Sequence, residues 1–222
     1  MIIDLLCKRW VIRVFENSMQ QMYKVFFNDR RIYLMDEMPD IEDKEQSYIC
    51  AFRGREDLEP QLQNFLKSGR EADLYVYSPE AGDPFEVFRS CFRNIPAAGG
   101  LVKNSRDQYL IIFRRGKWDL PKGKAEPKEI SQETALREVQ EECGLEGLEL
   151  GKFLIATYHI YFIGDEAVLK KTDWYLMKYA GHGEPVPLRK ESIEKAIWMS
   201  HSEVEGISGE SYPSIFDVIG SD

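Results

Sequence analysis

Nine positions from Gly123 to Leu145 constrain this chain more than the rest of its 222 residues together. Gly123 is followed by five residues and then Glu129. Seven more residues lead to Arg137-Glu138-Val139, then Glu141-Glu142, Gly144 and Leu145. At roughly 100° per residue on an α-helix, Glu138, Glu141 and Glu142 fall within about 100° of one another. Three carboxylates therefore share one side of a helix. Ala135, Leu136, Val139 and Cys143 form the core-facing stripe. Ser131 is the expected N-cap, Glu133 suits the positive end of the helix dipole, and Gly144 is the expected stop. The spacing predicts a helix over 131–143.

Like charges one turn apart repel, by a few tenths of a kcal/mol each when exposed and by more when partly buried. Arg137 offsets part of this charge, and a divalent cation offsets more. Hard cations choose oxygen ligands, and Mg²⁺ usually binds through one or two carboxylates plus phosphate and water. Such a metal polarises a phosphoryl oxygen and helps to generate hydroxide. The bland alternative for an isolated ExxEE is a solvated acidic helix face. Gly123, Glu129, Arg137 and Gly144 at their fixed distances argue against it.

The residues from Gly123 to Leu145 resemble the signature box of the Nudix hydrolases, with every defining position filled. The resemblance implies an α/β fold: an α/β/α sandwich with a mixed central sheet. It implies Mg²⁺-dependent cleavage of a diphosphate linked to another group, with Mn²⁺ able to substitute. It also implies Glu138, Glu141 and Glu142 as metal ligands, joined by the backbone carbonyl of Lys122 just before the first box glycine. Glu129 is implied to hold Arg137, fixing loop to helix, with Gly123 and Gly144 as structural supports. Family members often use a further Glu shortly before the Trp that opens the last strand, as metal ligand or general base. Here that Trp is Trp198, and the usual offset falls on Ser192. Glu191 is the preferred candidate and Glu194 the second, while Glu138 is a candidate base within the box. Many members are homodimers, which makes a dimer the default expectation.

The loop WDLPKGKAEPKE, residues 118–129, carries Gly123, Pro121 and Pro127 and is not regular structure throughout. Arg114, Arg115, Lys122 and Lys124 bracket it and are candidate phosphate contacts, although each taken singly is an ordinary surface charge. The WDLPKGK wording resembles members acting on diadenosine polyphosphates, diphosphoinositol polyphosphates or related nucleotides. No dense basic pocket is legible, so dinucleoside polyphosphates, nucleoside triphosphates and nucleotide sugars such as ADP-ribose rank above inositol pyrophosphates. Tyr158, Tyr161 and Tyr175 offer rings for stacking a base, or simply pack in the sheet. His159 alternates away from Tyr158 and either faces the site or is hydrogen-bonded in the core.

A formal charge of −9 argues against broad nucleic-acid binding through phosphate neutralisation. It does not exclude a nucleotide, because a metal supplies local positive charge. Cys7, Cys50, Cys91 and Cys143 lack metal-type spacing and suggest no disulfide framework. A reducing, cytoplasmic location is expected. No run is long and apolar enough to span a membrane. MIIDLLC lacks the basic start of a signal peptide.

Three segments are expected. Residues 1–21 form an extension, with Met19 or Met22 as alternative starts. Residues 22–93 form a small α+β domain without a recognisable catalytic motif, read as a packing, dimerisation or regulatory unit. Residues 94–222 form the Nudix hydrolase domain. Within 22–93 the pattern predicts a hairpin around Asn28-Asp29, a charged loop at 42–46 and a strand at SYICAF. A helix bearing Leu58, Leu62, Phe65 and Leu66, a strand at ADLYVYS and a short helix from Pro84 follow. Two rivals to a diphosphate hydrolase of nucleoside diphosphate derivatives stay open. One is a nucleotide-sensing module without catalysis, and the other is removal of pyrophosphate from RNA 5′ ends.

Overall fold

The computed structural model describes residues 22–37, 47–69, 71–78 and 83–222. The extension at 1–21, with Cys7 and Met19, and the charged loop at 42–46 lie outside the described residues.

Strands β1 (Met22–Phe27) and β2 (Arg30–Met35) form the expected hairpin, with Asn28 in the left-handed region at φ 53°. Strand β3 (Ser47–Ala51), helix α1 (Arg55–Lys67) and β4 (Asp73–Tyr77) then make a β-α-β unit of parallel strands. Strand β4 lies between β3 and β2. Leu58, Leu62, Phe65 and Leu66 are the buried face of α1, as their spacing predicts. Helix α2 (Pro84–Ser90) starts at Asp83, whose carboxylate accepts from the Phe85 N–H.

The remaining elements are β5 (Arg93–Asn104), β6 (Tyr109–Arg114), β7 (Lys117–Asp119) and β8 (Lys122–Lys124). Helix α3 (Ser131–Cys143) follows, then β9 (Leu148–Ile163), β10 (Glu166–Tyr179) and β11 (Ile193–Met199). Two short helices, α4 (His201–Gly206) and α5 (Pro213–Ile219), close the chain on either side of a 3₁₀ turn.

One mixed sheet runs through both segments that the sequence divides at residue 93, in the order β11-β6-β5-β10-β9-β1-β2-β4-β3. The junction is a parallel pairing of β1 with β9, which puts Val25 beside Tyr158 and Phe26 beside His159. Side-chain alternation sorts the core into layers. On one face, α1 and α2 cover Ile32, Leu34, Leu74, Val76, Ile160 and Leu169. Farther along that face, Ala135, Val139 and Cys143 of α3 meet Ala98, Val102, Tyr175 and Met177. On the opposite face, Ile215 and Val218 of α5 and Val204 of α4 cover Leu101, Ile111 and Trp174. The result is helix, sheet, helix. Among the described residues no helix is long and apolar enough to cross a membrane.

Candidate active site

Helix α3 has the range that its periodicity predicts, but its N-cap is Ile130 rather than Ser131. The Glu133 carboxylate reaches back to the Ile130 N–H at 3.3 Å and does the capping. The Ser131 hydroxyl is engaged elsewhere, donating to Asp173 at 2.9 Å and accepting from Tyr175 at 3.1 Å. A tertiary bond from the helix to β10 has taken the local cap. At the other end Gly144 sits at φ 62° and its N–H returns to the Gln140 carbonyl at 2.8 Å, closing the helix as expected.

The helix presses its carboxylates against the preceding loop. A Cβ on Gly123 would lie 1.9 Å from Glu138 Oε2, so only glycine lets the backbone meet this carboxylate. One turn on, the Lys122 N–H donates to Glu142 Oε2 at 2.9 Å, and Arg114 Nη1 donates to Oε1 at 3.2 Å. Glu138 and Glu142 are buried, and Glu141 is exposed.

Arg137 binds Glu129 as a fork, Nε to Oε1 at 2.8 Å and Nη2 to Oε2 at 2.9 Å. Nη2 also donates to the Lys124 carbonyl at 3.0 Å. Nη1 donates to Glu138 at 2.9 Å and to Glu141 at 3.2 Å. One guanidinium therefore ties helix to loop and partly neutralises two box carboxylates. Its hydrogen bonds, with that of the Glu126 N–H, hold the Glu129 carboxyl down to about 2. The remaining carboxylates respond to burial instead. Desolvation raises Glu138, against the pull of Arg137 and with help from Glu191 and Glu141. Desolvation pushes Glu142 up to about 7 despite Lys122 and Arg114.

Among the described residues no three His, Cys, Asp or Glu side chains already converge as metal ligands. Arg137 holds Glu138 and Glu141, while Glu142 is drawn to the Lys122 N–H and Arg114. The donor chemistry nevertheless fits a hard divalent cation. Glu138 and Glu142 both reach the 122–123 backbone, Glu141 shares the Arg137 guanidinium with Glu138, and burial pushes the Glu138 and Glu142 carboxyls up despite their cationic partners.

Glu191 ends a 3₁₀ turn (Arg189–Glu191) and is followed by Ser192 at φ 62°. Its charge acts on Glu138. Glu194, the second candidate, is an exposed residue of β11. Trp198 lies near the end of that strand rather than at its start.

The phosphate-contact candidates separate. Arg114 is engaged by Glu142 and, at 3.4 Å, by Asp119. Arg115 is an exposed turn residue at φ 51° between β6 and β7, and Lys124 is exposed beside the loop. The Lys122 side chain is buried with Nζ 2.5 Å from Asp119 Oδ2, so the expectation of a free phosphate contact gives way to an internal ion pair. Burial lowers the Lys122 ammonium, while Lys122 and Arg114 hold Asp119 low against its own burial. The reading of Tyr158 as a substrate contact gives way to packing. Its ring sits edge-on to Phe85 at 4.6 Å and to Tyr23 at 6.4 Å, in the layer under α1 and α2. His159, on the other face, stacks on Phe26 at 5.1 Å and bonds the Ser214 hydroxyl at 3.1 Å.

Asp119 was legible only as a letter of the loop. Lys170, beside this cluster, went unread although the alternation Val168, Lys170, Thr172, Trp174 marks it as a charge on an inward face. Burial and the nearby Lys122 and Arg114 push its ammonium down to about 7. Next to the loop, a cleft of about 400 Å³ is lined by Pro96, Ala97, Pro127, Glu129, Ser131 and Asp173.

The helix–sheet–helix fold and the loop clasped to a carboxylate helix define a Nudix-type module. The chain belongs to the Nudix family: the model described as NUDIX domain matches residues 93–217, more than half of the chain. A mutator protein designated MutT4, from Mycobacterium tuberculosis, is 38% identical over 112 residues, 45% of this chain and 43% of the relative. Subunit 2 of the mRNA-decapping enzyme of Arabidopsis thaliana is 23% identical over 215 residues, 94% of this chain and 53% of the relative. The chain thus spans about half the length of these curated relatives. Among solved structures, a MutT protein from Methanosarcina mazei superposes with a TM-score of 0.46 at 22% identity, covering 58% of this chain and 92% of that one. An Ap4A hydrolase complex from C. elegans gives 0.45 at 18% identity, covering 57% and 93%.

Proposed function

We propose that the protein hydrolyses a diphosphate linkage in a nucleoside diphosphate derivative. The class comprises dinucleoside polyphosphates, nucleoside triphosphates and nucleotide sugars such as ADP-ribose. One observation carries this reading: Glu138 and Glu142 are buried on successive turns against the 122–123 backbone, at a net electrostatic cost that a bound cation removes. Glu138, Glu141, Glu142 and the Lys122 carbonyl would hold Mg²⁺, or Mn²⁺ in its place. That ion would polarise a phosphoryl oxygen and stabilise charge on the leaving phosphate.

The chain's own groups do the rest. Arg137 fixes the helix to the loop, so the carboxylates keep their positions. A carboxylate near the attacking water takes its proton while the water oxygen bonds to phosphorus and the bridging P–O bond breaks. We read Glu138 and Glu191 as the candidates for that role, a reading supported by the action of the Glu191 charge on Glu138. Arg114 and Lys124 flank the loop for the phosphate chain, and the 400 Å³ cleft offers room for the linked group.

The test is a Mg²⁺-dependent hydrolysis screen over nucleoside triphosphates, diadenosine polyphosphates, ADP-ribose, nucleotide sugars and NADH, with Glu142→Gln alongside. Turnover that needs both Mg²⁺ and Glu142 supports the reading. Absence of turnover, with ligand still raising Tm, replaces it with a sensing role. A second reading, hydrolysis at RNA 5′ ends, is favoured by the match to the decapping subunit across 94% of the chain and opposed by the −9 charge. Competition between capped RNA and free nucleotides for turnover decides between them.

A further inference from the structure

The sheet face turned away from α3 carries Lys170, a charge that the box does not use. Two further cations, Arg114 and Lys122, lie near enough for their charges to act on it. Two anions answer them, Asp119 and Glu142. Both are already claimed, Asp119 by Lys122 at 2.5 Å and Arg114 at 3.4 Å, and Glu142 by Arg114 at 3.2 Å. Lys170 is left over. Among the described residues no carboxylate lies within ion-pair distance of it, and burial with Lys122 and Arg114 opposes its charge more strongly than the more distant Asp119 and Glu142 support it.

Its neighbours supply no anion. Across the ladder on β9 stands His159, a ring buried against Phe26 and hydrogen-bonded to Ser214. On β5 the register partner is Ile95. Two residues along β10, on the same face, Thr172 is 1% exposed and its hydroxyl has no hydrogen-bond partner among the described residues. Next on that face comes Trp174, whose indole N–H is satisfied by Thr157 at 2.8 Å and whose ring lies 5.8 Å from Lys122 Nζ.

An ammonium without a carboxylate and a buried hydroxyl without an acceptor thus belong to residues two apart on one strand face, whose backbones are about 7 Å apart and whose side chains extend to the same side. Buried polar groups are normally satisfied, and an ion left uncompensated is the costlier exception. Both deficits are met by one thing, an anionic oxygen that accepts from each. We propose that Lys170 and Thr172 bind a phosphate oxygen of the substrate on the sheet face opposite α3. This deepens the hydrolase reading and rests on it for the identity of the anion as a phosphate chain. The box helix approaches the scissile phosphate from one side, while Lys170 holds a phosphate from the other.

The experiment compares the full-length wild type with Lys170→Met, Lys170→Arg and Thr172→Val. Inorganic pyrophosphate in EDTA should raise the Tm of wild type and of Lys170→Arg, but not of Lys170→Met. On whichever substrate is turned over, Lys170→Met should raise KM at least about tenfold with kcat within about threefold, the pattern of lost binding rather than lost chemistry. Thr172→Val should raise KM by a smaller factor in the same direction. The Tm of Lys170→Met without pyrophosphate should be equal to or above that of wild type, because an uncompensated charge has been removed. A purely structural lysine would lower it. Equal pyrophosphate shifts in wild type and Lys170→Met, no shift in either, or an unchanged KM would overturn the proposal. A wild type without turnover on any substrate would remove the hydrolase reading, and metal-free pyrophosphate binding would still decide the role of Lys170.

Discussion

The two halves of the sheet are built to different rules. Under α1 and α2 the core is almost wholly apolar: Leu58, Leu62, Phe85, Phe88, Phe92 and Val76 meet one another. The helix charges of this half pair along the surface instead, Arg55 with Glu59 and Arg89 with Glu86. Around β8 and α3 the chain buries Asp119, Lys122, Glu138, Glu142 and Thr172. Burying ions is a poor route to stability, because desolvation offsets most of the Coulomb gain. The first half is therefore organised for folding, and the second sacrifices stability to hold buried charges in fixed places.

That contrast is breakable. Phe88 is fully buried and its ring lies 5.0 Å from that of Phe92. Phe88→Ala should lower stability by about 3–5 kcal/mol in urea unfolding, with kcat of the folded fraction unchanged. Activity lost without unfolding would end the division of labour. Glu142→Gln should do the reverse, lowering kcat by at least about 10² with Tm in EDTA equal or higher. A large fall in Tm would show that Glu142 is there for the fold.

Gly123→Ala sharpens the comparison within the site. The new methyl must displace the Glu138 carboxylate, so kcat should fall by roughly ten- to a hundredfold, while the circular dichroism melt barely moves. Unchanged activity would mean that the position of Glu138 is not critical. The last effect is a slope. Burial, with Lys122 and Lys170 nearby, holds His159 down to about 4, below its ordinary 6.5. Its contribution to stability is complete above pH 6.5 and is lost as pH falls towards 4, by at most about 1.4 kcal/mol per unit. His159→Phe should flatten that part of the acid-denaturation profile, and an identical profile would refute the assignment.

What was legible in the sequence was what local spacing controls. The 3.6-residue period gave the limits of α3, and the resemblance of the box gave the Glu129–Arg137 pair. The missed features all depend on partners far along the chain. Ser131 fails as a cap because Asp173, 42 residues away, holds its hydroxyl. Lys122 turns inward because β7 places Asp119 within reach. Tyr158 packs inward because β1 and α2 bring Tyr23 and Phe85 to it. The pairing of β1 with β9 joins residues 25 and 158, a contact that no periodicity encodes.

That pairing also settles how the molecule can be dissected. Strand β9 is sixteen residues long and carries exposed Phe153, Phe162 and Ile163. With β1 removed, its outer side would present unpaired amides and carbonyls next to aromatic side chains, a ready template for another chain. Residues 22–92 therefore act as a lid on a sticky border, and a fragment trimmed to the signature-bearing half should polymerise or precipitate before it can be assayed.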